Sequence, residues 1–135
     1  IICGHYEGFD ERIRVLSKAR EVSIGDFVLS GGEYSAICII DAVTRLLDGT
    51  LGNAESKDYD SHSEYLLEYP QYTKPRNYEG FEVPEILLGG NHEKIAEWRR
   101  IKQFERTKEK RPDLFEKFLK TNLSKLDKKL LKEID

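Results

Sequence analysis

The feature that most limits what this chain can fold into is a helix with almost no polar face. Helical spacing is predicted from about Glu33 to Leu47, and Ala36, Ile37, Ile39, Ile40, Val43, Leu46 and Leu47 cover most of its circumference. A helix apolar on that many sides is buried on several of them. It needs more protein around it than the sequence offers, which points to a missing half or a partner subunit. The helix is entered from a short apolar strand, Phe27-Val28-Leu29, through Gly31-Gly32, and Gly49 is placed to stop it.

The chain is 135 residues with 39% hydrophobic content, enough for a core in one domain or two small ones. No run of apolar residues is long enough for a membrane span, and Arg12 and Arg14 follow too short an apolar start for a secretory leader. Cys3 and Cys38 sit in apolar stretches without Cys-x-x-Cys spacing and read as reduced, buried thiols of a cytoplasmic protein, with a disulfide or metal pair as the weaker alternative. The chain has no methionine and opens on Ile1-Ile2-Cys3-Gly4, which reads as the end of a buried strand. The expectation is a piece lacking its N-terminal half.

Charge is uneven. Residues 1–90 hold 8 Lys and Arg against 16 Asp and Glu, whereas residues 91–135 hold 14 against 9. The net charge of −3 therefore divides into an acidic body and a basic tail, and the tail is a candidate surface for a polyanion or simply a solvated helical face.

Asp10 is suited to cap a short helix from Arg12 to Leu16. Residues 51–75 read as a polar loop and an extended aromatic linker, because Pro70, Pro75 and Pro84 keep the residues before them out of helix. Residues 76–135 read as a second, helical domain. Asn91 is its N-cap, Arg111-Pro112 the break between two helices, and Leu126, Leu130 and Leu131 mark a lysine-rich last one. Trp98 and Phe104 fit core positions.

Glycines between a strand and a helix often hold phosphate, but a phosphate loop places a lysine after them. Here Glu33 follows Gly31-Gly32, and Gly25 to Gly32 does not fit the G-x-G-x-x-G dinucleotide pattern. An acidic loop favours a neutral or cationic ligand, and S-adenosylmethionine, with its sulfonium, fits. A merely structural Gly-Gly turn is the alternative. His5, His62 and His92 lack zinc spacing and read as scattered surface residues.

Four ordered blocks carry a family resemblance. Gly4-His5-Tyr6-Glu7-Gly8-Phe9-Asp10-Glu11-Arg12 resembles the G-R-Y-E-G-[IV]-D-E-R segment of bacterial tRNA (guanine-N1)-methyltransferases, the TrmD family. Ser23 to Glu33 resembles S-I-G-D-Y-V-L-S-G-G-E, and Leu67 to Pro75 resembles L-[LE]-[YC]-P-H-Y-T-R-P. Val83 to His92, with Trp98-Arg99, is similar to V-P-x-V-L-L-S-G-N-H and W-R. Departures are His5 for arginine, Phe27 for tyrosine, Gln71 for histidine, Lys74 for arginine and Gly89 for serine.

The resemblance implies a knotted α/β methyltransferase domain of SPOUT type with a deep trefoil knot, followed by a helical C-terminal domain, in a cytoplasmic homodimer without membrane attachment. Residues 1–50 would be the C-terminal part of the S-adenosylmethionine-binding knot domain, and 76–135 the tRNA-binding domain. The family's earlier strands and its L-S-P segment are not in this sequence. Gly4, Ile24, Gly25, Asp26, Phe27, Val28 and Leu29 correspond to the main methyl-donor contacts, with Tyr6, Glu7, Gly8, Gly31 and Gly32 lining the same pocket. Asp60 and Arg45 match the catalytic positions. A carboxylate can take the N1 proton of guanine, and an arginine can stabilise the charge that builds on O6. Without the resemblance, Asp58 would compete with Asp60, and Arg45 would read as a helix-end charge. Mg²⁺ is implied as a family property, with Glu7 a plausible contributor. Arg99, Arg100, Lys102, Arg106, Lys108, Lys110 and Arg111 would contact tRNA phosphates. The expected activity is methyl transfer to N1 of the guanosine 3′ of the anticodon. The alternatives are a noncatalytic RNA-binding fragment and a sister knotted methyltransferase with another RNA target.

Overall fold

Capping chemistry sets most of the helix boundaries. The computed structural model describes residues 1–47, 49–50, 61–62 and 64–134. They divide into two compact units, Ile1–Ala54 and Glu55–Asp135.

In the first unit, α1 spans Glu11–Ser17. Asp10 starts it by accepting from the Arg12 N–H at 2.8 Å, and Lys18, in the left-handed region at φ 51°, ends it. The next helix, α2, spans Glu33–Thr44 with Gly32 at its N-cap and Arg45 at its C-cap, stopping three residues short of the expected Leu47.

Three expectations for this unit need correcting. Ile1 to Cys3 and Phe27 to Leu29 do not form strands. Strands are held by ladders to neighbours, and among the described residues these segments have none; Val28 is 98% exposed. Cys38 is exposed and Cys3 half-buried. The apolar circumference of α2 is open too: Ala36 is buried, whereas Ile37 is 62% exposed and Ile40 and Val43 are also exposed. The side chains that would cover them are not among the described residues of this unit.

The second unit starts with a hairpin, β1 (Asn77–Tyr78) and β2 (Phe81–Glu82), paired antiparallel with Asn77 opposite Glu82. Its turn places Glu79 at φ 51° and Gly80 at φ 88°, the doubly left-handed geometry of a type I′ turn. The Gly80 N–H donates to Asn77 Oδ1 at 3.1 Å. This hairpin is the one sheet among the described residues. A 3₁₀ turn over Glu85–Leu87 follows.

Helix α3, His92–Lys110, is capped by Asn91, whose Oδ1 accepts from the Lys94 N–H. Helix α4 runs Pro112–Leu119 and α5 Lys125–Leu130. Proline at the first position of α4 lacks the amide that would go unbonded there anyway. Ser124 and Asp127 form a reciprocal capping box at the start of α5.

The core joins Phe104, Phe115 and Phe118 with Leu66 and Leu130. Phe104 is fully buried, with its ring centroid 5.3 Å from that of Phe118. Leu66 falls within the stretch expected as linker. It is fixed because Thr107 Oγ1, itself donating to the Gln103 carbonyl at 2.6 Å, accepts from the Leu67 N–H at 2.9 Å.

Candidate functional site

The two glycine segments of the first unit come together. His5 and Gly31 form an isolated antiparallel bridge. The Gly32 N–H donates to the Gly4 carbonyl at 3.1 Å, and the Gly8 N–H donates to the His5 carbonyl at 3.0 Å. A Cβ on Gly32 would lie 3.0 Å from Cys3 Cα, so the close approach of the two strands of chain depends on glycine there.

His5 Nε2 pairs with Glu33 Oε1 across the junction. The Glu33 carboxyl is held below its usual range, first by its own backbone N–H and then by His5. This junction gathers Gly4, Gly31 and Gly32. Tyr6, Glu7 and Gly8 extend from it as an exposed turn, and Ile24 to Leu29 form an exposed irregular segment. Arg45 stands at the C-cap of α2, its N–H donating to the Asp41 carbonyl. Asp60, the other expected catalytic residue, lies outside the described residues, as does Asp58.

The second unit sorts the seven basic residues expected to face RNA. Arg100 is turned inward. Its Nε donates to Asp127 Oδ1 at 2.8 Å, its Nη1 lies 2.9 Å from Glu64 Oε2, and its guanidinium sits over Phe104 and Phe118 at 5.2 and 5.4 Å. With its side chain only 22% exposed, Arg100 is a structural ion-pair partner. Burial alone would raise the Asp127 carboxyl, but Arg100 and then Ser124 hold it below its usual range.

Lys102 pairs with Glu105 and Arg111 with Asp113, on the surface. The Arg111 fork holds the Asp113 carboxyl down at about 2. Arg99 lies over the Tyr69 ring at 4.7 Å. Lys108 Nζ reaches the Ile134 carbonyl at 3.5 Å. Sequence reading missed Glu64 and Asp127 as the partners that draw Arg100 inward. They are distant along the chain, and no local spacing signals them.

Comparison with known proteins fits the junction of glycine segments and the helical unit into one pattern. The family model described as tRNA (Guanine-1)-methyltransferase TrmD matches residues 1–117. The chain belongs to this family. Relatives named tRNA (guanine-N(1)-)-methyltransferase include that of Moorella thermoacetica, 58% identical over 99% of this chain and 52% of the relative. That of Geobacter sp. is 54% identical over 100% of this chain and 53% of the relative. A third, from Desulfitobacterium hafniense, is 61% identical over 86% of this chain and 44% of the relative. The chain spans about half the length of the curated relatives it matches.

As a TrmD-family chain it has a donor set that can be tested against its expected ligands. At the junction of Gly4, Gly31 and Gly32 the backbone segments pack against each other and against Phe9, His5 and Cys3, with the Glu33 carboxylate paired to His5 as the negative charge nearest a cationic ligand. For a divalent metal the set is poor. Among the described residues no group of three or more His, Cys, Asp or Glu side chains converges, and Glu7 alone is too few ligands. No helix among the described residues is long and apolar enough to cross a membrane.

Proposed function

We propose that this chain is the part of a tRNA (guanine-N1)-methyltransferase that carries one wall of the methyl-donor pocket, the catalytic pair and the tRNA-binding helices. The substrate is the guanosine 3′ of the anticodon, methylated at N1. The observation that carries the reading is the joining of two glycine segments by the His5–Gly31 bridge and the Gly32–Gly4 hydrogen bond, in a chain whose family match runs through both.

S-adenosylmethionine supplies the electrophilic methyl group when bound. The chain's own contribution is to hold and to deprotonate. Gly4, Gly31 and Gly32, with the segment from Ile24 to Leu29, present backbone to the ligand. Asp60 accepts the N1 proton of guanine, and Arg45 faces the charge that develops on O6. Arg99, Arg106, Lys108 and Lys110 position the RNA through its phosphates. Lys102 and Arg111 divide their charge with neighbouring carboxylates, and Arg100 stays inside. The described residues offer no ligand set for Mg²⁺.

The SPOUT-type trefoil knot, the homodimer and the cytoplasmic setting belong to the same proposal. The uncovered apolar face of α2 supports the homodimer, since a second copy would bury it, while the knot rests on the family match.

Asp60→Ala in the full-length protein tests the central role. Methyl transfer to tRNA is expected to fall by about 10²–10⁴-fold, with S-adenosylmethionine affinity by calorimetry unchanged. Near-normal turnover would remove Asp60 from the reaction.

A further inference from the structure

We propose that a hollow in the second unit, lined by Tyr69, Tyr72, Lys74, Arg76, Leu87 and Arg99 among others, takes one unstacked nucleotide of the bound RNA. The proposal deepens the function proposed above and rests on it. Apart from Arg99, it concerns residues outside the basic set on α3 and beyond.

The hollow measures about 600 Å³, within the range of about 300–1,000 Å³ that holds small ligands. Its chemistry is one-signed. Lys74, Arg76 and Arg99 converge there, and no Asp or Glu stands among the described residues that line it. This occurs in the acidic part of the chain, where Lys74 and Arg76 are the two cations between Lys57 and Lys94. Tyr69 and Arg99 also line a second hollow, which carries Glu64, Glu93, Glu97 and Asp127. Only the first therefore attracts an anion.

Tyr72 supplies the second requirement. Its ring is braced by Trp98, centroids 6.4 Å apart and planes tilted by 52°, yet Tyr72 stays 48% exposed. A ring held on one side and open on another is a platform for a base. Arg99, its guanidinium carbon 4.7 Å from the Tyr69 ring centroid, brings a fork of N–H donors suited to phosphate oxygens. Apolar walls come from Leu87, Leu88, Val83 and Ile95. An open aromatic face beside three cations fits a base with its phosphates better than an acidic peptide, which needs the cations and has no use for the platform. Single-stranded loops are where RNA offers such splayed bases.

The test uses the full-length protein and a fluorescein-labelled anticodon stem-loop RNA, read by anisotropy across a salt series. Tyr72→Ala is expected to weaken binding about tenfold, the size of one lost stacking contact, while Tyr72→Phe binds near the wild-type level. Arg76→Ala is expected to flatten the slope of log affinity against log salt by about 0.7, one phosphate contact on a single strand. S-adenosylmethionine calorimetry and thermal melting on each variant show that the fold is kept. If Tyr72→Ala and Arg76→Ala both bind RNA like the wild type while the enzyme still methylates tRNA, the hollow is overturned and the proposed function stands. If the wild type neither binds the stem-loop nor methylates tRNA, both fall. Adenosine monophosphate binding as tightly as the stem-loop would assign the hollow to a free nucleotide and overturn the RNA assignment. A glutamate-rich peptide whose binding, rather than that of RNA, is lost in Tyr72→Ala would assign it to an acidic protein segment.

Discussion

The two units of this chain invert the usual relation between composition and burial. The first is the more apolar in pattern, with an α2 that is hydrophobic nearly all round, yet Ala36 is its one buried apolar side chain among the described residues. The second is dense in lysine, arginine and glutamate, yet it closes a core around Phe104, Phe118 and Leu130. Apolar content creates a demand for burial, and only matching surfaces meet it. In the second unit, α3, α4 and α5 present apolar stripes to one another and keep charge on the outer faces. In the first, α2 has nothing of its own length to pack against among the described residues. A chain of this composition thus contains one self-sufficient body and one face that awaits cover.

The comparison predicts very unequal responses to mutation. The largest should come from Phe104→Ala, which empties the centre of the second unit and is expected to cost about 3–5 kcal/mol in denaturant unfolding. A loss below about 1 kcal/mol would show that the core is not held as described. Next is Asp127→Ala. It leaves Arg100 half-buried without its main partner and removes half of the α5 capping box, at a cost of about 2 kcal/mol, between the limits for exposed and buried pairs.

Acid should act through the same residue. The folded pKa of Asp127 is depressed, so its contribution is fully present above the unfolded-state value and is lost as pH falls through the folded one. Melting temperature of the wild type is expected to drop on acidification below the ordinary carboxylate range, and Asp127→Asn should show a shallower drop over that window. An identical pH profile for the two proteins would place the acid sensitivity elsewhere. The smallest effect should come from Ile37→Ala in a chain of residues 1–135, within about 0.5 kcal/mol, because the side chain is already exposed. The same substitution in the full-length protein is expected to cost about 2–4 kcal/mol if that face is covered there. Equal costs in the two settings would break the comparison.

Local rules made the helices readable. Asp10, Asn91 and Pro112 each announced a helix start that the structure keeps, because a cap acts within three residues of itself. The family resemblance was readable for a related reason, since its motifs are contiguous. Strands were misread at Ile1 to Cys3 and at Phe27 to Leu29, because strand character depends on a neighbour that the pattern of one segment does not specify. The hairpin at Asn77 to Glu82 was overlooked although Glu79-Gly80 carries a turn signal. Arg100 was placed on the RNA face because its basicity is visible in sequence and its partners Glu64 and Asp127 are not. The tyrosine-lined hollow was hidden for the same reason. Leu87, Ile95 and Arg99 are brought beside Tyr72 and Arg76 by folding alone.

Arg111 is at once the last cap of α3 and the first of α4. That single residue works as an elbow with no slack. Its backbone leaves the helical region (φ −140°, ψ 64°) to make the bend, and its side chain grips Asp113, the second residue of the next helix. Adding or removing one residue there would change how α4 leaves α3 and move Phe115 and Phe118 off Phe104. The elbow therefore fixes the phase between two helices, and length changes should be far harder to accept at Arg111 than changes of residue type.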